Sequence, residues 1–182
     1  MSEKYKARNP ENLYFVTLTI VDWIDLFIRP EYKHIITDSL GFCQLNKGLQ
    51  IFAYVLMTSH LHLIVRTKEN ISLSDIIRDF KSHTSKKLIE AIKDQPESRR
   101  DWLLDKFNTA AVKIKRNSKY KVWQDGFHPI ELYDNAIIEQ KLSCIHNNPV
   151  EEEIVINPED YKYSSALNYA GEIGVLKIES LY

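Results

Sequence analysis

The sequence predicts a small α/β (α+β) domain, on three observations. Runs of aromatic and β-branched residues at Leu13–Val21, Leu49–Met57 and His60–Arg66 read as strands. Longer stretches between them carry apolar residues at helical spacing. The 182 residues are 44% hydrophobic and 27% charged, enough to enclose one core, so residues 1–182 are expected to form a single domain.

Residues 1–12 read as a polar arm with a turn at Asn9-Pro10. In the first strand Thr17 and Thr19 share one face, opposite Val16, Leu18 and Ile20. Pro30 opens a helix over 31–46, because a first-turn proline gives up no hydrogen bond. Ile35, Ile36, Leu40 and Cys43 supply its apolar side, and Gly48 stops it. The second strand follows, then a break at Thr58-Ser59 and a third strand antiparallel to the second. Ser72 or Ser74 caps the next helix, which runs to Lys93. Ser72 with Asp75 three residues on is a relative of the capping box.

Gln95-Pro96-Glu97 interrupts that helix, and another covers 99–115, buried through Leu103, Leu104, Phe107 and Ala111. Tyr120–Trp123 reads as a strand, Asp125-Gly126 as a turn and 127–132 as a short extended segment. Asn135 caps a helix to His146, broken by Asn147-Asn148-Pro149. The tail from Val150 is irregular.

The chemistry is densest in Met57-Thr58-Ser59-His60-Leu61-His62-Leu63-Ile64-Val65. Strand side chains alternate, so His60 and His62 point to one face and Leu61 and Leu63 to the other. Two imidazoles side by side make half of a divalent-metal site. Two hydrogen-bonded histidines on a half-buried strand give the same pattern.

Net charge is -1, but residues 77–121 hold 13 Lys/Arg against 6 Asp/Glu. Such a tract suits a phosphate-facing surface. It equally suits the solvated face of ordinary helices. Cys43 and Cys144 are the only cysteines, in no Cys-x-x-Cys pair, which argues against a thiolate zinc site. No stretch approaches eighteen apolar residues and no signal-like segment opens the chain, so a cytoplasmic protein with no membrane span is expected.

Several blocks in order resemble one family. They are Tyr14–Thr19, Ala53–Ile64, Asp75–Ser82, Ile145–Val150, Pro158–Tyr161 and Tyr163–Ser165. Together, over about residues 13–171, they resemble the IS200-like tyrosine transposases and their relatives associated with repetitive extragenic palindromes. The resemblance implies an antiparallel ferredoxin-like sheet packed with helices, of the histidine–hydrophobe–histidine (HUH) nuclease type. It implies a homodimer that cuts and rejoins single-stranded or hairpin DNA during transposition and recombination. It also implies Mg²⁺ or Mn²⁺ and a tyrosine nucleophile on a helix downstream of the histidine pair.

On that resemblance His60 and His62 match the metal-binding pair. A third polar ligand is expected from Gln124, His128, Glu131 or Gln140. The nucleophile is expected at Tyr120, flanked by Lys119 and Lys121, or at Tyr133. His128 stands where a related block often carries tyrosine. Lys81, Lys86, Lys87, Arg99, Arg100, Lys113, Lys115, Arg116, Lys119 and Lys121 form the candidate phosphate surface. Trp123 and Phe127 are candidates to stack on bases. His146-Asn147-Asn148-Pro149 reads as a structural helix end. The alternative function is a DNA-binding relative that has lost strand transfer.

Overall fold

The computed structural model describes residues 9, 11–113, 119–126 and 128–181. The elements run in the order β1 (Leu13–Thr19), α1 (Pro30–Asn46), β2 (Leu49–Leu56), β3 (His60–Thr67), α2 (Leu73–Asp94), α3 (Arg100–Lys113), β4 (Ile130–Leu132), α4 (Asn135–Glu151) and the short α5 (Ala166–Tyr169). Four strands form one sheet in the order β2-β3-β1-β4, and every pairing is antiparallel.

Register follows from the period-2 pattern. Thr17 lies opposite His62 and Thr19 opposite His60. Directly opposed residues share a face, so Phe15, Thr17, Thr19, His60, His62 and Ile64 lie on one side. Tyr14, Val16, Leu18, Leu61, Leu63 and Val65 lie on the other, and all six are buried.

The second face is covered by α1 and α2. Trp123 bridges to Ile20, and its ring packs against Phe80 of α2 while its Nε1 donates to Thr84. Ser72 is the N-cap of α2, accepting from the Asp75 amide at 3.3 Å. Gly48 turns the chain from α1 into β2 at φ 69°, and a Cβ there would lie 2.5 Å from Cδ1 of Ile71.

Two expected elements change. The strand expected over 120–123 reduces to the single bridge at Trp123. The helix expected to stop at His146 runs on to Glu151, with Pro149 inside it. Its cap is Asp134 rather than Asn135, accepting from the Ile137 amide at 2.8 Å. Pro149 withdraws one amide from the ladder, but it is buried. The carbonyls of Asn148, Pro149 and Val150 accept from residues 152–154. Packing and this closing turn override the local break.

Candidate functional site

The histidine face is covered by α4. Ile145 is fully buried and Pro149 is buried beside it. Ile138 and Leu142 pack on the core from the same side. Burying a side chain such as Ile145 contributes about 1.5–3 kcal/mol, which seats the helix on the sheet. Lys141 and Asn148, seven residues apart, fall on nearly one line along α4, beside that apolar stripe.

The two histidines are oriented from behind. Thr17 Oγ1 lies 2.8 Å from His62 Nδ1, and Ser59 Oγ lies 3.2 Å from His60 Nδ1. With each Nδ1–H given to a hydroxyl, each Nε2 carries the lone pair. The rings are 4.7 Å apart between centroids. Phe15 stacks on His62 at 5.2 Å, and Trp23 meets His60 edge-on at 5.4 Å.

The environment keeps both rings neutral. Burial, then His60 and Lys141, push His62 down to about 3. Burial also lowers His60, against the opposite pull of Asn148 and Asp25. Neutral imidazole is the form that binds a metal.

The third polar group is Asn148. Its carboxamide is close enough to His60 to favour the charged ring, yet its buried Oδ1 completes no hydrogen bond among the described residues. An unpaired buried carbonyl costs about 1–3 kcal/mol unless something accepts its lone pairs. Two neutral imidazoles and one amide oxygen form a donor set that suits a divalent cation with open positions for substrate. Among the described residues, no three His, Cys, Asp or Glu side chains are arranged to hold a metal ion. Asn148 is outside that class of ligands.

The sequence reading missed Asn148 because the expected helix ended before it. The signal was present as His146-Asn147-Asn148-Pro149, read there as structural. It also missed Lys141, whose ammonium lies 4.9 Å from the Phe15 ring centre and acts on His62.

The other expected ligands have these surroundings. Gln124 Nε2 donates to Ile20 O at 3.3 Å. His128 packs so closely on Gly126 that a Cβ there would lie 2.6 Å from Nε2. Glu131 Oε1 accepts from Asn12 at 2.6 Å. Gln140 is exposed on α4.

Neither expected tyrosine lies on α4. Tyr120 is held at the α2–α3 layer, with Lys93 and Lys119 at 5.1 and 5.4 Å from its ring. Tyr133 is 78% exposed and immediately precedes the α4 cap. Within α4, one turn before Asn148, stands Cys144, a half-buried free thiol.

Part of the basic tract is engaged by the chain itself. Lys81 donates to Gln124 O at 2.6 Å and to Gly126 O. Lys121 pairs with Asp125 and Lys87 with Glu90. Arg99 reaches Asp25 O and Glu97. Arg100 closes the end of α2 on Ile92 O and Gln95 O. Lys86, Lys113 and Lys119 are exposed. Lys115, Arg116 and Phe127 lie outside the described residues, and Trp123 is buried in the core.

Residues 24–107 match the family model described as "Transposase IS200 like". No curated protein matches the chain. Among solved structures, a REP-associated tyrosine transposase bound to a REP hairpin aligns at TM-score 0.60 and 15% identity, over 100% of this chain and 94% of that one. A candidate transposase from Deinococcus radiodurans R1 aligns at TM-score 0.43 and 14% identity, over 80% of this chain and 98% of that one. The first of these is a likeness of fold. Over residues 24–107, a little under half of the chain, the protein is similar to the IS200-like transposase family.

Proposed function

We propose that this protein binds single-stranded or hairpin DNA and holds one phosphodiester at a divalent metal, Mg²⁺ or Mn²⁺, on His60, His62 and Asn148. The observation that carries the reading is the buried, unsatisfied Asn148 Oδ1 beside two neutral imidazoles. The match to the family model supports it, as does the hairpin bound by the first structural neighbour. The strand order β2-β3-β1-β4 supports the ferredoxin-like HUH class. Family resemblance is also the support for a homodimer.

When bound, the metal supplies Lewis-acid polarisation of the phosphodiester. The chain does the rest. Thr17 and Ser59 hold the rings so that Nε2 faces outward. Burial keeps the rings unprotonated. Ile145 and Pro149 fix α4, and so Asn148, against the sheet. Lys141 pairs with no carboxylate among the described residues, and its ammonium is placed to meet a phosphate oxygen.

Strand transfer needs a nucleophile at this point, and the helix that faces the histidines carries Cys144 and no tyrosine. The reading favoured by this placement is a DNA-binding relative that has lost strand transfer through tyrosine. The second reading keeps the family's covalent chemistry and assigns it to Tyr133, favoured over Tyr120 by its exposure next to α4.

Incubation with labelled hairpin DNA and Mn²⁺, resolved on a denaturing protein gel, tests this. Binding without a covalent band is expected. A band lost in Tyr133→Phe or Tyr120→Phe would restore the tyrosine transposase. Cut DNA without a band would assign the attack to water.

A further inference from the structure

The turn between β1 and α1 presents an aromatic ring at the rim of the histidine site. Asp22 and Trp23 have φ of 55° and 53°, so two consecutive residues with side chains occupy left-handed backbone, which ordinary sequences give to glycine. The surroundings over-determine this turn. The Ile20 amide donates to Ser59 O, Val21 to Val122 O, Trp23 to Ile20 O, Ile24 to Val21 O and Phe27 to Thr58 O. Ile20, Val21, Ile24, Leu26 and Phe27 are all buried around it.

The consequence is that Trp23, next to the buried Ile24, stands 58% exposed while its ring edge meets His60. More than half of this large ring is left in water beside a candidate catalytic centre, where a ligand can cover it.

The charges on either side suit a polynucleotide strand. Beyond His62 stands Lys141. On the other side of the turn, a shallow cavity of about 270 Å³ is lined by Lys106, Lys113, Asp22 and the paired Lys121 and Asp125, among others. A strand crossing the rim meets cation, ring and metal site in succession, the combination by which single strands are held.

We propose that Trp23 is the stacking platform for the nucleobase adjoining the phosphate held at His60 and His62. This rests on the proposed DNA-binding function and adds the residue that positions the substrate there. The left-handed turn keeps the ring out of the core and ready for the base.

The test uses the full chain with Mn²⁺ and a fluorescein-labelled DNA hairpin bearing single-stranded flanks. In a set of probes, one flank nucleotide at a time is replaced by an abasic sugar. One abasic position is expected to weaken binding to the wild-type chain by about 5- to 150-fold, the range of a lost base–aromatic stack. In Trp23→Ala that position is expected to have no further effect, and in Trp23→Phe part of the effect returns.

Equal weakening of intact and abasic probes in Trp23→Ala would make Trp23 a support for His60 and overturn the platform. Unchanged affinity of Trp23→Ala for the intact probe would overturn it also, with DNA binding left standing. Absence of salt-dependent binding by the wild-type chain would remove the DNA-binding reading itself, and the platform with it.

A second measurement avoids any loss of folding in Trp23→Ala. In Trp102→Phe the exposed tryptophan emission comes from Trp23, since Trp123 is buried. Hairpin DNA is expected to quench it, and an unquenched signal at saturating DNA would overturn the platform.

Discussion

Two regions of this molecule carry the residues that a nucleic-acid enzyme needs, and they use them in opposite ways. The α2–α3 layer is dense in positive charge and spends part of it internally, through Lys81, Arg99, Arg100 and Lys121. Glu97 alone is approached by Arg29 at 3.7 Å and Arg99 at 3.5 Å, and accepts from Tyr32 at 2.9 Å. The α4–sheet face is poor in charge, but its polar groups are left incomplete. Lys141 has no carboxylate partner among the described residues, and Asn148 Oδ1 accepts no hydrogen bond there. A charged group already satisfied by its own chain has little left for a ligand. Density of charge is therefore a poor guide to the site. Arg99 Nη2 and Asn168 Oδ1 are also buried without a partner among the described residues. An unsatisfied polar atom thus marks the site only where, as at Asn148, it lies beside other ligand groups.

The comparison breaks most sharply at Glu97. Its side chain is 2% exposed, and removing one partner of a buried ion cluster leaves charge uncompensated. Glu97→Ala is expected to cost about 3–5 kcal/mol in urea unfolding, with metal binding per folded molecule unchanged. A loss below about 1 kcal/mol would show that the layer is not held this way.

The same carboxyl predicts acid sensitivity. Burial pushes it up, but the Arg99 amide, Tyr32 and the two guanidinium groups outweigh burial and hold it below its ordinary 4.5. A depressed carboxyl stabilises the fold above its unfolded value, and that stability is lost as pH falls through the folded value. Unfolding free energy should therefore decline below about pH 4.5, and the decline should shrink in Glu97→Gln.

On the site face, His60→Ala or His62→Ala removes a donor outright. Mn²⁺ affinity by calorimetry is expected to fall by more than the roughly 10- to 100-fold that outer hydrogen-bond partners cost. Thr17→Val, which only releases the His62 ring, is expected within that range. Asn148→Ala should fall between the two. An unaltered affinity in Asn148→Ala would remove it from the donor set.

The smallest effects separate the two sets of lysines. Lys141→Ala is expected to lower the slope of log affinity against log salt by about 0.7, one phosphate contact on a single strand. Lys86→Ala, on an exposed helix face, is expected to leave that slope unchanged and stability within about 0.5 kcal/mol. A slope change at Lys86 equal to that at Lys141 would return the basic tract to the DNA surface.

Much of the fold was legible. Strand alternation is a local property of period two, so His60 and His62 could be assigned to one face from sequence. The Ser72 cap and the Pro30 helix start are local hydrogen-bond and torsion effects, and both stand. The site was half legible. The end of α4 was misplaced because Pro149 is a helix breaker by local rules, while its burial and the closing turn are properties of the folded chain.

By itself the sequence determined the first three strands and the shared face of the two histidines, and it pointed to the family. Only the tertiary structure decided that α4 lies across that face and brings Asn148 and Lys141 to the pair. It also decided that Trp23 is left in solvent beside His60, and that Arg99 and Arg100 turn inward. The physical reason is that periodicity fixes which way a side chain points within its own element. What it meets there depends on how elements far apart in the chain pack, and that is settled by burial of whole faces.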